Sequence, residues 1–346
     1  MLEWNSEFSN FTQVARLAFI REEYQYFANI ENDSFSFGNA QSYIAKYDLA
    51  YEASEDLLIN AVIQNTYTKG EGSSIAKNDR NIFSAAILAK YYFSEKFQSE
   101  VGLRKEATNN YDSPLLYSVG ASYEFSDFYS LKFNGSRNFR IPTYNDLYWA
   151  SSGNPDLNPE TSDQAEIGNI FSIKNIEFGL TFFYNQVEDM IRWLPGEGGI
   201  WRPVNEDKVE IYGIESYLNW QKKLAKDQIL NLNLNYAYTI SENAETHRQL
   251  IYTPFQKING NINYQIYQFT PSVQFLYNGK VYTRTDHSEE LSGYFLTNVG
   301  LSYAIDKRRN WQLGAKINNL LNNEYQNVED RWMPGINYNL YLNINF

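Results

Sequence analysis

Residues 115–125 read LLYSVGASYEF, and the order of residue types in this stretch decides the fold. Leu115, Tyr117, Val119, Ala121, Tyr123 and Phe125 hold the odd positions, with Ser118, Gly120, Ser122 and Glu124 between them. A period of two sends the two sets to opposite faces of a β-sheet. The alternation recurs in Tyr43–Ala53, where Tyr43, Ala45, Tyr47, Leu49 and Tyr51 stand against Lys46, Asp48 and Glu52. It recurs in Leu230–Tyr238, where Leu230, Leu232 and Leu234 alternate with Asn231, Asn233 and Asn235. In Phe295–Ile305 the second face is Asn298, Gly300, Ser302 and Ala304. One face suits water and the other suits lipid, with Tyr and Phe gathered toward strand ends as an aromatic girdle would be. A soluble antiparallel sandwich with one solvated face is the competing reading.

Composition points the same way. The chain has 346 residues, above the size at which one soluble core ordinarily stops growing, closed barrels excepted. Aromatic residues make up 17%, with 29 Tyr and 22 Phe. The mean hydropathy of −0.52 would suggest water solubility in bulk, but alternation averages itself away. There is no run of about 18 apolar residues, so no transmembrane helix is available, and a β-barrel is the other way to span a bilayer. The absence of cysteine excludes a disulfide framework, a thiolate metal site and a cysteine nucleophile. A net charge of −12 argues against a nucleic-acid partner. The two histidines, His247 and His287, are too few for most histidine-metal chemistry, and no cofactor is expected. The opening MLEWNSEFSN has neither the basic segment nor the apolar stretch of a signal peptide.

About sixteen strands are legible, and their connections alternate in length. Short links are expected at 54–56, 94–96, 126–128, 174–175, 223–228, 267–268 and 306–310. Longer ones are expected at 29–39, 69–80, 108–113, 138–162, 194–206, 241–248, 284–290 and 320–334. Short turns at one rim and long loops at the other suit an outer-membrane barrel, with turns periplasmic and loops extracellular. The last strand alternates Tyr338, Leu340, Leu342, Ile344 and Phe346 with mostly asparagine, and its aromatic end resembles the assembly signal of bacterial outer-membrane proteins. Counting back from a descending last strand places 138–162 outside the cell. That loop carries Pro142, Pro155 and Pro159, three of the nine prolines, with room for one helical turn over Pro142–Trp149.

Within this loop, FRIPTYNDLYW followed by GNPDLNPETS resembles the signature of TonB-dependent outer-membrane receptors. Ile317–Tyr325, INNLLNNEY, is similar to their late segment, and Tyr212–Glu215, YGIE, to their strand start after an external loop. Pro334-Gly335 and the terminal Phe346 complete a set that runs from about residue 136 to the end. Asp146–Trp149 and Trp201–Asn205 look most like the cobalamin-receptor group, although ferric-siderophore receptors share most of the framework. The resemblance implies an all-β, transmembrane antiparallel β-barrel of 22 strands, plugged by an N-terminal domain through which TonB acts. With about sixteen strands legible and nothing before residue 11 readable as a plug, residues 1–346 are expected to be the C-terminal barrel part of such a receptor. The strand near Thr12–Phe27 is then expected to be an unpaired edge.

The resemblance also implies transport without catalysis, a location in a Gram-negative outer membrane, lipid and lipopolysaccharide around the barrel, and a large nutrient ligand. Cobalamin is favoured over a ferric siderophore. A passive porin, or a smaller-barrel enzyme or adhesin, is the alternative. Candidate ligand contacts are the aromatic and basic residues expected in external loops: Tyr144, Tyr148, Trp149, Trp193, Trp201, Arg202, Arg284, His287, Arg331 and Trp332. Aromatic faces with a few cationic groups suit a large, partly apolar, anionic or amide-rich ligand. Girdle and framework roles compete for each of them. Asp286-His287-Ser288 has the residue types of a catalytic triad, but sequence neighbours on a loop rarely have triad geometry. Glu71, Asp79, Glu289 and Glu290 are scattered carboxylates for which solvation is the expected state over calcium binding.

Overall fold

The computed structural model describes residues 1–27, 29, 31–149, 152–196 and 199–344, so the terminal Phe346 lies outside the described residues. The first strands are β1 (Leu2–Phe8), β2 (Phe11–Tyr26), β3 (Ser36–Glu52), β4 (Leu57–Gly72), β5 (Ile75–Ser94), β6 (Phe97–Thr108), β7 (Leu116–Ser126) and β8 (Tyr129–Arg140). A short helix, α1 (Tyr144–Tyr148), follows. Next come β9 (Glu160–Ile173), β10 (Ile176–Pro195), β11 (Trp201–Ala225), β12 (Gln228–Asn243), β13 (Gln256–Ile266) and β14 (Phe269–Asn278). The last part contains β15 (Val281–Tyr282), β16 (Glu290–Leu291), β17 (Tyr294–Ala304), β18 (Trp311–Asn318), β19 (Gln326–Val328), β20 (Arg331–Trp332) and β21 (Asn337–Ile344). Seventeen strands make the principal antiparallel sheet, while β15–β16 and β19–β20 are separate two-stranded ribbons.

The chain divides into two compact units. The first holds 1–123, 133–165 and 185–209; the second holds 124–132, 166–184 and 210–346. In the first unit β1 to β7 form an unbroken antiparallel meander, each strand paired with the next. In the second, β12, β13, β14, β17, β18 and β21 do the same. Neighbours in sequence are neighbours in the ladder, as short hairpin connections require.

Packing is the reverse of a water-soluble domain. On β7 the apolar set is the exposed one, with Tyr117, Val119, Tyr123 and Phe125 facing out. On β5 and β6, Phe83, Ile87, Val101 and Leu103 continue that face. The opposite face carries the charged ladder Glu3–Arg16–Asp48–Lys46, with Arg16 at 2.7 Å from Glu3 and 2.8 Å from Asp48. Among the described residues buried apolar side chains are few, and Leu147, Leu157 and Ile191 cluster in the long loop and toward the end of β10. A contiguous exposed apolar face of this extent marks a surface made for a non-aqueous neighbour.

Three expectations are corrected. The segment before residue 11 forms β1, whose Leu2 to Phe8 pair with Leu17 to Phe11, so β2 has partners on both sides and is not the unpaired edge. Residues 69–80 are not a long loop: Lys69 pairs with Asp79 and Gly72 with Ile75 around a tight turn. Residues 194–206 are largely strand as well, since β10 runs to Pro195 and β11 starts at Trp201. β1 does alternate, Leu2, Trp4 and Phe8 against Glu3, Asn5 and Glu7, but at 69–80 and 194–206 the alternation fades, and backbone pairing needs no apolar face, so the ladders outrun the pattern there. The short helical turn expected over Pro142–Trp149 is present as α1.

The exposed apolar face gives a direct test in lipid vesicles. Ile87→Arg should lower folding stability by about 2–4 kcal/mol, while Ala86→Ser on the opposite face should change it by less than about 1 kcal/mol. Urea titration of intrinsic fluorescence measures both.

Candidate functional site

The loop between β8 and β9 is built around one carboxylate. Thr143 caps α1, and its side chain accepts a hydrogen bond from the Asp146 N–H at 3.2 Å. Asp146 Oδ2 in turn accepts from the Thr143 N–H and hydroxyl, both at 2.8 Å, closing a capping box. Pro142, just before the cap, is fully buried. Asp146 Oδ1 accepts from the Trp193 indole at 2.8 Å, and the Arg140 guanidinium lies 3.9 Å from Oδ2. Only 5% of Asp146 is exposed, so these donors replace the water it has lost. Gly153 follows because the chain folds back tightly: a Cβ there would lie 2.6 Å from the Trp149 nitrogen and 2.8 Å from the Leu147 carbonyl oxygen.

A second set of bonds ties this loop to the ends of β10 and β11. Arg140 grips Glu160 through two parallel bonds of 2.6 and 2.7 Å, and Glu160 also accepts from the Ile191 N–H at 2.9 Å. Asn205 donates to the carbonyls of Asn158 and Asp189 at 3.0 and 2.7 Å and accepts from the Asn158 N–H at 2.8 Å. Asn154 donates to the Pro203 carbonyl at 3.3 Å. Leu147, Leu157, Ile191 and Tyr148 fill the space beneath. The motif residues Arg140, Thr143, Asp146, Gly153, Asn154, Asn158 and Glu160 therefore shape the loop.

Against this rigid loop lies a cavity of about 630 Å³, lined by residues of β2, β3, β4, the first residue of β5, and α1 with its C-cap. Its rings are Tyr24, Tyr26, Phe37, Tyr144 and Trp149. Its floor is made of small residues: Gly38 pairs with Gly72 and Ala40 with Gly70 across β3 and β4. A Cβ on Gly38 would collide with the Tyr24 ring, and one on Gly70 would lie 3.1 Å from the Tyr144 ring. Glycine at these places lets two aromatic rings lie flat on the sheet. Tyr144 is held by its hydroxyl donating to the Thr68 carbonyl at 3.3 Å and by the Arg80 guanidinium 4.9 Å from its ring centre. Burial pushes the Tyr144 phenol up, so it stays neutral and a donor.

The ten expected contacts thus separate. Tyr144 and Trp149 line the cavity. Tyr148 stacks on Tyr144 at 6.4 Å and packs on the loop core, without lining it. Trp193 is a β10 residue engaged with Asp146, and Trp201 and Arg202 begin β11; none of the three stands in a loop. Tyr24, Tyr26 and Phe37, which line the cavity, were not expected from sequence. The signal for them was the run of aromatic residues past the apolar band, beside Gly38, Gly70 and Gly72.

In the second unit the other four residues form connections of their own. Arg284 binds Glu329 through bonds of 2.6 and 3.1 Å and Glu289 at 3.0 Å. His287 stacks on Tyr282 with ring centres 3.7 Å apart, and its Nε2 meets the Gln249 carbonyl at 2.8 Å. Arg331 and Trp332 form β20, with Trp332 paired to Gln326 and largely exposed. Ser288 donates to Asp286 at 2.6 Å while His287 turns to Gln249, so these neighbours make no catalytic relay. Of the scattered carboxylates, Asp79 accepts from Tyr67, Glu290 pairs with Lys280, and Glu71 accepts from Asn39. Among the described residues no group of three or more His, Asp or Glu is arranged to hold a metal ion.

Two outcomes follow. Asp146→Ala leaves buried donors unanswered and should cost about 2–3 kcal/mol of local stability, read as faster amide exchange at Leu147 and Trp149. The Arg284 hydrogen bond holds the Glu329 carboxyl below its usual range. A depressed carboxyl contributes stability above its unfolded pKa, about 4.3, and loses it as pH falls through the lower folded value. Intrinsic-rate-corrected exchange in 326–332 should stay flat from about pH 7 to about pH 5 and rise below about pH 4. Glu329→Gln should remove that step.

The comparisons agree with this architecture. The family described as "TonB dependent receptor-like, beta-barrel" matches residues 2–320. The vitamin B12 transporter BtuB of Photobacterium profundum is 26% identical over 269 residues, which is 75% of this chain and 43% of that protein. The chain therefore spans less than half the length of that relative. Among solved structures, a mutant of the ferric enterobactin receptor PfeA from Pseudomonas aeruginosa superposes with a TM-score of 0.77 at 17% identity, covering 98% of this chain and 59% of that one. The siderophore receptor PirA of Acinetobacter baumannii gives 0.77 at 16% identity, covering 99% and 61%. A meander of long strands with an exposed apolar face, and a family match over nearly its whole length, place this chain in the TonB-dependent receptor β-barrel family.

Proposed function

We propose that this chain is the barrel portion of a bacterial outer-membrane receptor that takes up a scarce, large nutrient, cobalamin in preference to a ferric siderophore. The observation that carries the reading is the aromatic cavity braced by the Arg140–Asp146–Glu160 loop. A rigid concave site with flat rings suits a bulky, partly apolar ligand. Tyr144 and Trp149 make ring contacts, and the Tyr144 hydroxyl and the Asn145 side chain offer polar ones. Tyr148 and Trp193 hold the loop in place. Binding and gated release are the whole reaction, with no bond made or broken in the ligand. TonB supplies the energy through a plug domain inside the barrel, and lipid and lipopolysaccharide surround the apolar face.

The vitamin B12 relative supports the cobalamin reading, while the siderophore receptors support the fold alone at their low identity. Equilibrium binding of cyanocobalamin to the product of the whole locus in detergent tests the proposal. A Kd tighter than about 1 μM is expected, with a loss of about ten-fold in Tyr144→Ala. Affinity weaker than that limit would overturn cobalamin as the nutrient.

A further inference from the structure

The outer face of β4 carries a column of side chains that the ligand cavity does not use. Lys69, Tyr67, Asn65 and Ile63 follow one another there, each two residues and so about 7 Å from the next. Phe19, Tyr43 and Tyr67 stand in register across β2, β3 and β4, with ring centres 5.1 and 6.4 Å apart, as an aromatic belt. The next row toward the middle of the strands is Leu17, Ala45 and Asn65. Ala45 is small between Tyr43 and Tyr47, and a groove of about 430 Å³ opens at this row, continuous with the exposed apolar face. Asn65 lines it, half-buried, and among the described residues its carboxamide makes no hydrogen bond. By contrast Gln13, on the same face, accepts from the Tyr47 hydroxyl at 2.7 Å. Lys69 stands just beyond the belt, with its ammonium 5.4 Å from the Tyr67 ring centre. Among the described residues it has no ion-pair partner, and Asp79 opposite it accepts from the Tyr67 hydroxyl.

We infer that this groove seats one acyl chain of a phosphorylated glycolipid, with the amide linkage of the chain at Asn65 and a phosphate at Lys69. The inference rests on reading the apolar face as lipid-facing in an outer membrane, and it adds a lipid of defined chemistry at a defined place. Hydrocarbon answers neither the donors nor the acceptor of a carboxamide, so an amide kept in the apolar band needs a polar group from the lipid itself. Asn65 offers two N–H donors and an acceptor oxygen. A glycerol ester can only accept, whereas an amide-linked hydroxyacyl chain donates through its N–H and O–H and accepts through its carbonyl. The depth agrees, because the belt marks the headgroup level and Asn65 lies one row inside it, where acyl linkages begin. The charge agrees as well, since a lysine whose stem runs past a girdle ring holds its ammonium among the phosphates. Leu17 in the groove and Ile63 farther along β4 are left to meet the tail. The column lies at the end of β4 that carries Gly70 and Gly72 of the ligand cavity, so the lipid belongs to the leaflet on the side of ligand entry.

Native mass spectrometry of the full chain in neutral detergent, titrated with hexa-acyl diphosphoryl lipid A or with cardiolipin, tests the seat. Both lipids carry a pair of phosphates, and only lipid A has amide-linked hydroxyacyl chains. The wild-type chain should hold lipid A at least about ten-fold more tightly than cardiolipin. Asn65→Leu should weaken lipid A about five-fold and leave cardiolipin within about two-fold of its wild-type affinity. Ala45→Phe, which fills the groove, should weaken lipid A about ten-fold. Gln13→Leu, on the same face but outside the groove, should leave both lipids unchanged. Equal affinity of the wild-type chain for the two lipids, binding of neither, no loss in Asn65→Leu, or equal loss in Gln13→Leu overturns the seat. Cyanocobalamin titrated into the same samples separates this inference from the receptor reading. The expected lipid preference without cobalamin binding rejects that nutrient and keeps the seat; cobalamin binding without lipid preference rejects the seat and keeps the receptor.

Discussion

Every backbone N–H and C=O in a membrane-spanning segment must find a partner within the protein, because hydrocarbon offers none. The rest of this structure depends on that constraint. It explains why consecutive strands pair in sequence order, so that each new strand satisfies the row of groups left by the one before. It explains the tight turns, where Ser9, Lys174, Tyr267 and Arg309 adopt positive φ and let hairpins reverse over a few residues. It also frees the side chains from their usual task. With the ladder holding the fold, one face can be wholly apolar and the other lined with charges such as Arg16 and Asp48.

The same division of labour places the compact buried cluster in a loop. Leu147, Leu157 and Ile191 pack together beneath α1, and Asp146 and Arg140 hold the polar groups around them. A five-residue helix has no stability of its own, since nucleation alone costs more than so few hydrogen bonds return. Its capping box, the Trp193 indole and the Arg140–Glu160 clamp supply what length cannot. A loop fixed in this way can offer Tyr144 and Trp149 in constant positions to the cavity beside it, which lowers the ordering cost of binding.

The basic residues of the second unit show the opposite use of charge. Arg284 has the character of an anion-binding group when read alone, yet it is the centre of an ion-pair cluster with Glu289 and Glu329. His287 is likewise occupied by Tyr282 and the Gln249 carbonyl. In a chain with 41 acidic residues against 29 basic ones, a cation on a loop finds a carboxylate of the same chain readily. Those internal pairs answer the loop cations of the second unit with carboxylates of the same unit.

Much of this was written in the amino-acid order. Strand periodicity depends on neighbours two apart, so Leu115–Phe125 or Phe295–Ile305 declare two faces without any tertiary information. The helical turn of α1 and the family signature in 136–161 are local in the same sense. What lay beyond reach depends on residues distant in sequence. Pairing at 69–80 rests on backbone partners and leaves little hydrophobic trace, whereas Leu2, Trp4 and Phe8 alternate with Glu3, Asn5 and Glu7, and it is their pairing with β2 that only the fold shows. The contacts of Trp193 with Asp146 and of Arg284 with Glu329 join positions tens of residues apart, and only the folded chain decides whether a tryptophan or an arginine faces a ligand or a neighbour. The cavity is the clearest case. Tyr24, Gly38, Gly70 and Tyr144 come from four separate stretches, and it is strand register that stacks rings over glycines.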